Sequence, residues 1–180
     1  MLPTNGLLLN RLIIGVGVRN VSKTMADKYK NKTLYMETTK IECEATAAEI
    51  QTILRDAGAS GVMVEYKDRE VISLSFQMFY KGKELPFRLP SRHEAIAQRL
   101  LAKVKRRRAH TQQEVMKQAR RVAWRQTLRW VESQLAYIES DMVKAPEMFM
   151  SCLQIGPNGE TLFERFDNVG MKMLGYSRDE

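Results

Sequence analysis

The apolar positions of this chain change period several times, and each change predicts an element. Ala47, Ile50, Leu54 and Ala57 recur at helical spacing. Thr46-Ala-Ala-Glu49, in front of them, has the form of a capping box: a hydroxyl for one free N–H and a carboxylate reaching back for another. Gly58 supplies a C-terminal stop. The pattern predicts a helix near 46–57.

A period of two follows. Residues 61–66 are rich in β-formers, and Asp68-Arg69 makes a turn. From Val71 onward, Ile72, Leu74, Phe76, Met78 and Tyr80 alternate with Ser73, Ser75 and Gln77, as in a half-exposed antiparallel strand. Lys81-Gly82-Lys83 reverses the chain, and Leu85, Phe87 and Leu89 alternate on the way back. Pro86 has no N–H to donate, which places that strand at an edge. A further short strand is expected at 34–41. The sum is a three- or four-stranded antiparallel meander with the first helix on its apolar face.

Helical spacing then returns. Ser91-Arg-His-Glu94 has the form of a second capping box, and Ile96, Leu100 and Val104 share a face with Ala97 and Leu101 beside them. Thr111-Gln-Gln-Glu114 has the form of a third and opens the longest helix, to residue 140. Val115, Val122, Leu128, Val131, Leu135 and Ile138 form its apolar stripe, with Ala119 and Ala123 allowing close approach. Pro146 suits the start of a short helix reaching 153. Gly156-Pro-Asn-Gly159 is a turn, and a last helix near 160–166 is expected to bury Leu162, Phe163 and Phe166. The expected fold class is α+β: a small antiparallel β-meander with a packed helix, followed by a helical C-terminal half with one long helix.

Residues 1–35 are read as a leader and tether outside the core, 36–90 as the α/β-meander part and 91–180 as the helical part, with 36–180 forming one compact domain. The apolar run at 7–18, LLLNRLIIGVGV, is interrupted by Asn10 and Arg11 and is shorter than the ~20 residues of a membrane span. Its charge sits inside the run rather than before it, unlike a signal peptide. A leader from an upstream start codon, with Met25 or Met36 as the natural start, is the expectation; an added edge strand is the alternative.

Composition adds little until charge is mapped. With 44% hydrophobic and 28% charged residues the chain has the balance of a soluble globular protein. Cys43 and Cys152 form no CxxC, and with His93 and His110 they lack the paired spacing of a zinc site. Two unpaired thiols fit a reducing cytosol, one disulfide being the alternative. The net charge is +8, and it is concentrated. Residues 99–129 hold eleven cations, Arg99, Lys103, Lys105, Arg106, Arg107, Arg108, Lys117, Arg120, Arg121, Arg125 and Arg129, against the single acid Glu114. Lys117, Arg121, Arg125 and Arg129 recur every four residues, one stripe on a helix with a step of about 6 Å, near the spacing of phosphates along a strand. Like charges at this spacing destabilise the free helix, which suggests that they have a use. Trp124, among arginines, is a candidate for base stacking, whereas Trp130 is read as core. A solvated basic face is the plainer alternative.

Enzymatic chemistry finds little footing. No P-loop, GxGxxG, HExxH or GxSxG occurs. Glu132, Glu139 and Asp141 could hold Mg²⁺ for a nuclease, but no carboxylates from a strand accompany them. No catalytic residue, metal or cofactor is expected, and His93 and His110 are read as surface residues.

Three stretches, Leu85-Pro-Phe-Arg-Leu-Pro90, Arg121-Val-Ala-Trp-Arg125 leading to Trp130 and Gln134-Leu-Ala136, and Pro157-Asn-Gly-Glu-Thr-Leu162, resemble a family of uncharacterised small proteins of bacteriophages and prophages. The resemblance spans roughly 36–166 and carries no active site. It implies the cytoplasm of a bacterial host and a binder of host or viral machinery. The expected function is a non-enzymatic phage accessory protein that binds DNA, RNA or a nucleic-acid-containing host complex through the basic block. An inhibitor of host defence acting on a CRISPR nuclease is the specific expectation. The alternatives are a DNA-handling protein in replication or strand annealing, and a protein-only adaptor.

Overall fold

Phe76, Phe87 and Phe149 have no more than 1% of their surface exposed, and the elements assemble around them. The computed structural model describes residues 32–104, 109–156 and 158–169. The expectations for the 7–18 run, for Lys105-Arg-Arg-Arg108, for the side chain of His110 and for Pro157 lie outside what is described. Helix α1 (Cys43–Asp56) is followed by strands β1 (Gly61–Lys67), β2 (Glu70–Tyr80) and β3 (Lys83–Arg88). Helices α2 (Glu94–Ala102) and α3 (Ala109–Glu139) come next. A short helix α4 (Ala145–Met148), a 3₁₀ turn, a two-residue hairpin of β4 (Gln154–Ile155) and β5 (Glu160–Thr161), and helix α5 (Leu162–Val169) complete it. The order β1-β2-β3 is antiparallel throughout. The α+β architecture with a helical C-terminal half is as the sequence predicts.

The meander is set by its two turns. Asp68 and Arg69 have φ of 51° and 66°, and Lys81 and Gly82 have 49° and 75°. Positive φ at both central residues gives the twist that suits two-residue hairpins. Inward residues of β2 and β3 meet Ile50 and Leu54 of α1 and Leu128 and Val131 of α3 in one core. Phe76 stacks on Phe87 at 5.1 Å, and Phe149 meets Phe76 edge-on at 5.2 Å. Trp130 in turn meets Phe149 edge-on at 5.6 Å. A smaller cluster of Ala97, Leu100 and Ala119 joins α2 to α3. The Pro86 strand is the sheet edge as expected, and an isolated bridge from Phe87 to Leu153 partly covers it.

Several expectations need correction. The segment 34–41 is a loop, not a strand. Glu37 N–H donates to the Leu34 carbonyl, Leu34 N–H donates to Glu37 Oε2 at 2.6 Å, and Met36 has φ of 61°. In β2 the alternation is broken. Glu65 pairs with Ser73 but Tyr66 pairs with Val71, which makes Ile72 the extra residue of a bulge. One extra residue reverses the faces on either side of it. Val71 is therefore buried and Ile72 is 45% exposed.

None of the three expected capping boxes caps its helix. Helix α1 starts at Cys43, so Thr46 lies within it, buried, with its hydroxyl donating to the Glu42 carbonyl at 3.2 Å. Ser91 donates instead to the Ile72 carbonyl, and α2 begins only at Glu94. Helix α3 is already formed at Ala109, ahead of Thr111. A reciprocal box does exist where none was expected. Glu164 N–H donates to Thr161 Oγ1, and Thr161 N–H donates to Glu164 Oε2, at the start of α5. On that helix Phe163 is exposed, not buried.

The Gly58 stop is as expected. Its N–H donates to the Arg55 carbonyl and that of Ala59 to Leu54, a Schellman closure with Gly58 at φ 88°. An added Cβ would meet no atom within 4 Å, so only the backbone opposes it. Gly58→Ala is expected to cost about 1 kcal/mol, read as a lower urea midpoint at unchanged m-value.

Candidate nucleic-acid interface

The cationic stripe of α3 is positioned by the same periodicity that builds the core. Ala119, Val122, Ala123, Leu128 and Val131 face inward, and Arg121 and Arg125, each next in sequence to a buried residue and so about 100° around the helix from it, lie along the seam with α1. There they meet acids. Arg121 makes a two-pronged bond to Glu42 at the N-terminus of α1, Nη2 to Oε1 at 2.6 Å and Nε to Oε2 at 3.0 Å. Arg125 Nη1 donates to Glu49 Oε2 at 2.7 Å. Arg120 pairs with Glu70 at the start of β2. Arg129 pairs with Glu132 on its own helix at 2.7 Å. Lys103, at the end of α2, holds both oxygens of Glu37 at 2.7 Å. Arg99 lies on α2, half-buried, and its charge also acts on Glu37. Lys117 is exposed and makes no ion pair among the described residues.

Most of these cations therefore have acidic partners in the fold. No acid lies four residues from any member of the stripe, but Glu132 lies three from Arg129, and α1, β2 and the loop before α1 supply the others. Glutamines extend the seam: Gln118 Nε2 donates to the carbonyls of Glu37 and Thr39, and Gln126 Nε2 to that of Tyr35. These bonds hold 34–39 along α3 as a loop. Sequence reasoning missed Glu37, Glu42, Glu49 and Glu70 as partners. The one available signal was that the chain outside 99–129 is net acidic.

Trp124 is 3% exposed and packs in the core, so it offers no ring face to a base. Trp130, read as core, is half-buried and packs against the core through Phe149. Of the acidic set, Glu132 is held by Arg129, Asp141 is paired with Lys144 and Glu139 is exposed. Among the described residues no group of three His, Cys, Asp or Glu could hold a metal ion. His93 is the N-cap of α2, its Nδ1 3.3 Å from the Ser91 carbonyl. Cys43 and Cys152 are not bonded to each other. Burial, reinforced by Glu44 and Glu42, pushes the Cys43 thiol up to about 11, and burial also raises that of Cys152. Neither is a thiolate near neutral pH.

The ion pairs shift the carboxyls in the direction of charge. The bond from Lys103 holds Glu37 below its ordinary 4.5, and the bond from Arg121 does the same for Glu42. No described helix is long and apolar enough to cross a membrane. No family model matches the chain, and no curated protein or solved structure matches it either. The phage resemblance therefore stands on its three sequence stretches alone.

Two outcomes follow for stability. The Arg125 side chain is 7% exposed while Glu49 is 48% exposed. Glu49→Gln strands a buried guanidinium and should cost about 2 kcal/mol, whereas Glu132→Gln at the exposed Arg129 pair should stay within about 0.5 kcal/mol in the same denaturation assay. Depressed carboxyls contribute stability that is complete above pH 4.5 and lost as pH falls through their folded values. The thermal midpoint should thus fall below pH 4.5, and it should fall less steeply in Glu37→Gln.

Proposed function

We propose that this chain is a non-enzymatic accessory protein that engages a nucleic acid, or a nucleic-acid-containing host complex, where α2 passes into α3 rather than along the length of α3. The observation that carries this reading is the matching of Arg120, Arg121, Arg125 and Arg129 with carboxylates. Cations so matched add little net potential for a polyanion to meet. Within the 99–129 block, the cations not so matched include Lys117 on the described surface and, in sequence, Lys105-Arg-Arg-Arg108, with no acid between Glu94 and Glu114. In the phage setting implied by the sequence resemblance, the partner we favour is a guide-bearing nuclease of host defence.

The protein-only adaptor is the second reading, and the same matched arginines favour it. Gel shifts with single-stranded DNA, duplex DNA and RNA across a salt series separate the two. Replacing Lys105, Arg106, Arg107 and Arg108 together by Gln should lower the salt slope by roughly 0.7 to 0.9 for each phosphate no longer engaged. Arg121→Gln should leave the slope unchanged while lowering stability. The reverse pattern would assign the polyanion to the α3 stripe after all. No shift of any free probe would leave the adaptor.

A further inference from the structure

The two edges of the three-stranded sheet differ. On β3, Pro86 has no N–H to offer, and the Phe87–Leu153 bridge takes up part of the edge. Strand β1 is seven residues long, Gly-Val-Met-Val-Glu-Tyr-Lys, without proline, and it pairs on one side only. Its free groups can be named. One step beyond the Ser75–Arg88 pair, the Leu89 N–H donates to the Leu74 carbonyl, so Leu74 turns its polar groups toward β3. Ser73, Ser75 and Gln77 then turn theirs toward β1. Their partners Glu65, Met63 and Gly61 face β2, which leaves the N–H and C=O groups of Val62, Val64 and Tyr66 pointing outward. No other element's backbone bonds to them among the described residues.

The strand is complementary to its own reverse. An added antiparallel strand bonds through outward groups, so Val62, Val64 and Tyr66 must meet the same three residues of a second copy. A two-fold axis through Val64 uses the whole strand. It sets Val62 against Tyr66, Met63 against Glu65 and Gly61 against Lys67. A β-branched residue beside an aromatic ring is a stabilising cross-strand pair, and here it covers a Tyr66 that is 59% exposed. An axis through Glu65 would instead set two carboxylates face to face. Glu65 and Lys67, the charges that guard the edge, cancel within one strand. Because the β3 edge is closed, pairing through β1 stops at two copies.

We propose that β1 is a self-association edge: a second copy of this chain adds antiparallel across it, centred on Val64, and joins the two sheets into one. The proposal is independent of the polyanion reading, because it uses none of the cations of the 99–129 block. One strand pair buries less than a standard interface, so the dimer is weak and concentration-dependent.

The test follows the full chain by sedimentation equilibrium from about 5 to about 500 µM, with amide hydrogen exchange at both ends of the range. Salt at about 0.15 M screens the +8 charge of each copy. The mass should rise toward twice that of one chain. The Val62, Val64 and Tyr66 amides should exchange more slowly at the higher concentration, while that of Met63, which faces β2, stays unchanged. Met63 is 57% exposed, so either charge is tolerated there in the monomer. Met63→Glu faces Glu65 of the second copy and should weaken the dimer about tenfold, since the repulsion occurs twice across the axis. Met63→Lys faces the same carboxylate and should tighten the dimer several-fold. A contact made by the apolar surface of Met63 alone would weaken in both variants. A monomer throughout the range, protection that does not depend on concentration, or a dimer that both substitutions weaken alike would overturn the proposal.

Discussion

A guanidinium with 7% of its side chain exposed must have an anion beside it, and in this protein that requirement is met by one residue on another helix. Arg125 sits in the middle of α3 and Glu49 in the middle of α1. Their bond fixes the register of the two helices. That register in turn sets Ile50 and Leu54 against the sheet and Leu128 against both. Replacing both partners with apolar residues could preserve stability, whereas removing one leaves a buried charge uncompensated. The pair acts as a key for alignment more than as a source of net energy. Arg121 with Glu42 and Arg120 with Glu70 repeat the arrangement nearer the surface, where water weakens it.

Much of the fold was legible because it depends on period alone. The alternation in β2, the helical spacing of α1 and α3 and the two hairpin turns are local properties, and each element formed where they indicated. The failures share a cause. A Ser or Thr followed three residues later by Glu is a cap only if the helix starts there, and tertiary partners decided otherwise. Thr46 is buried within α1, Ser91 bonds the bulge carbonyl, and Glu49 is taken by Arg125. The bulge itself left no mark in composition, since Val71 and Ile72 are equally apolar and either could face inward. The loop at 34–39 reads as a strand until the glutamines of α3 are known to hold its carbonyls.

The candidate interface shows the same limit in electrostatic form. The concentration of cations in 99–129 is a fact of sequence, but the field they present depends on where the acids fold. Glu42 and Glu49 are some seventy-nine and seventy-six positions away from the arginines they meet. A periodic row of arginines thus has two physical uses, to grip a polyanion or to close against an acidic helix. Only the three-dimensional arrangement distinguishes them.

The separation between Glu49 and Arg125 also bears on the order of assembly. The meander closes through two-residue turns, so its strands can pair as soon as they are made, at small entropic cost. The bond between α1 and α3 must wait for a residue 76 positions further along the chain. Until α3 arrives, α1 and the sheet expose their apolar faces, and Glu42, Glu49 and Glu70 have not yet met the arginines that pair with them. The carboxylates that align the helices therefore stay solvated until the chain has been made as far as α3, and the closing of this seam is a late, long-range step in folding.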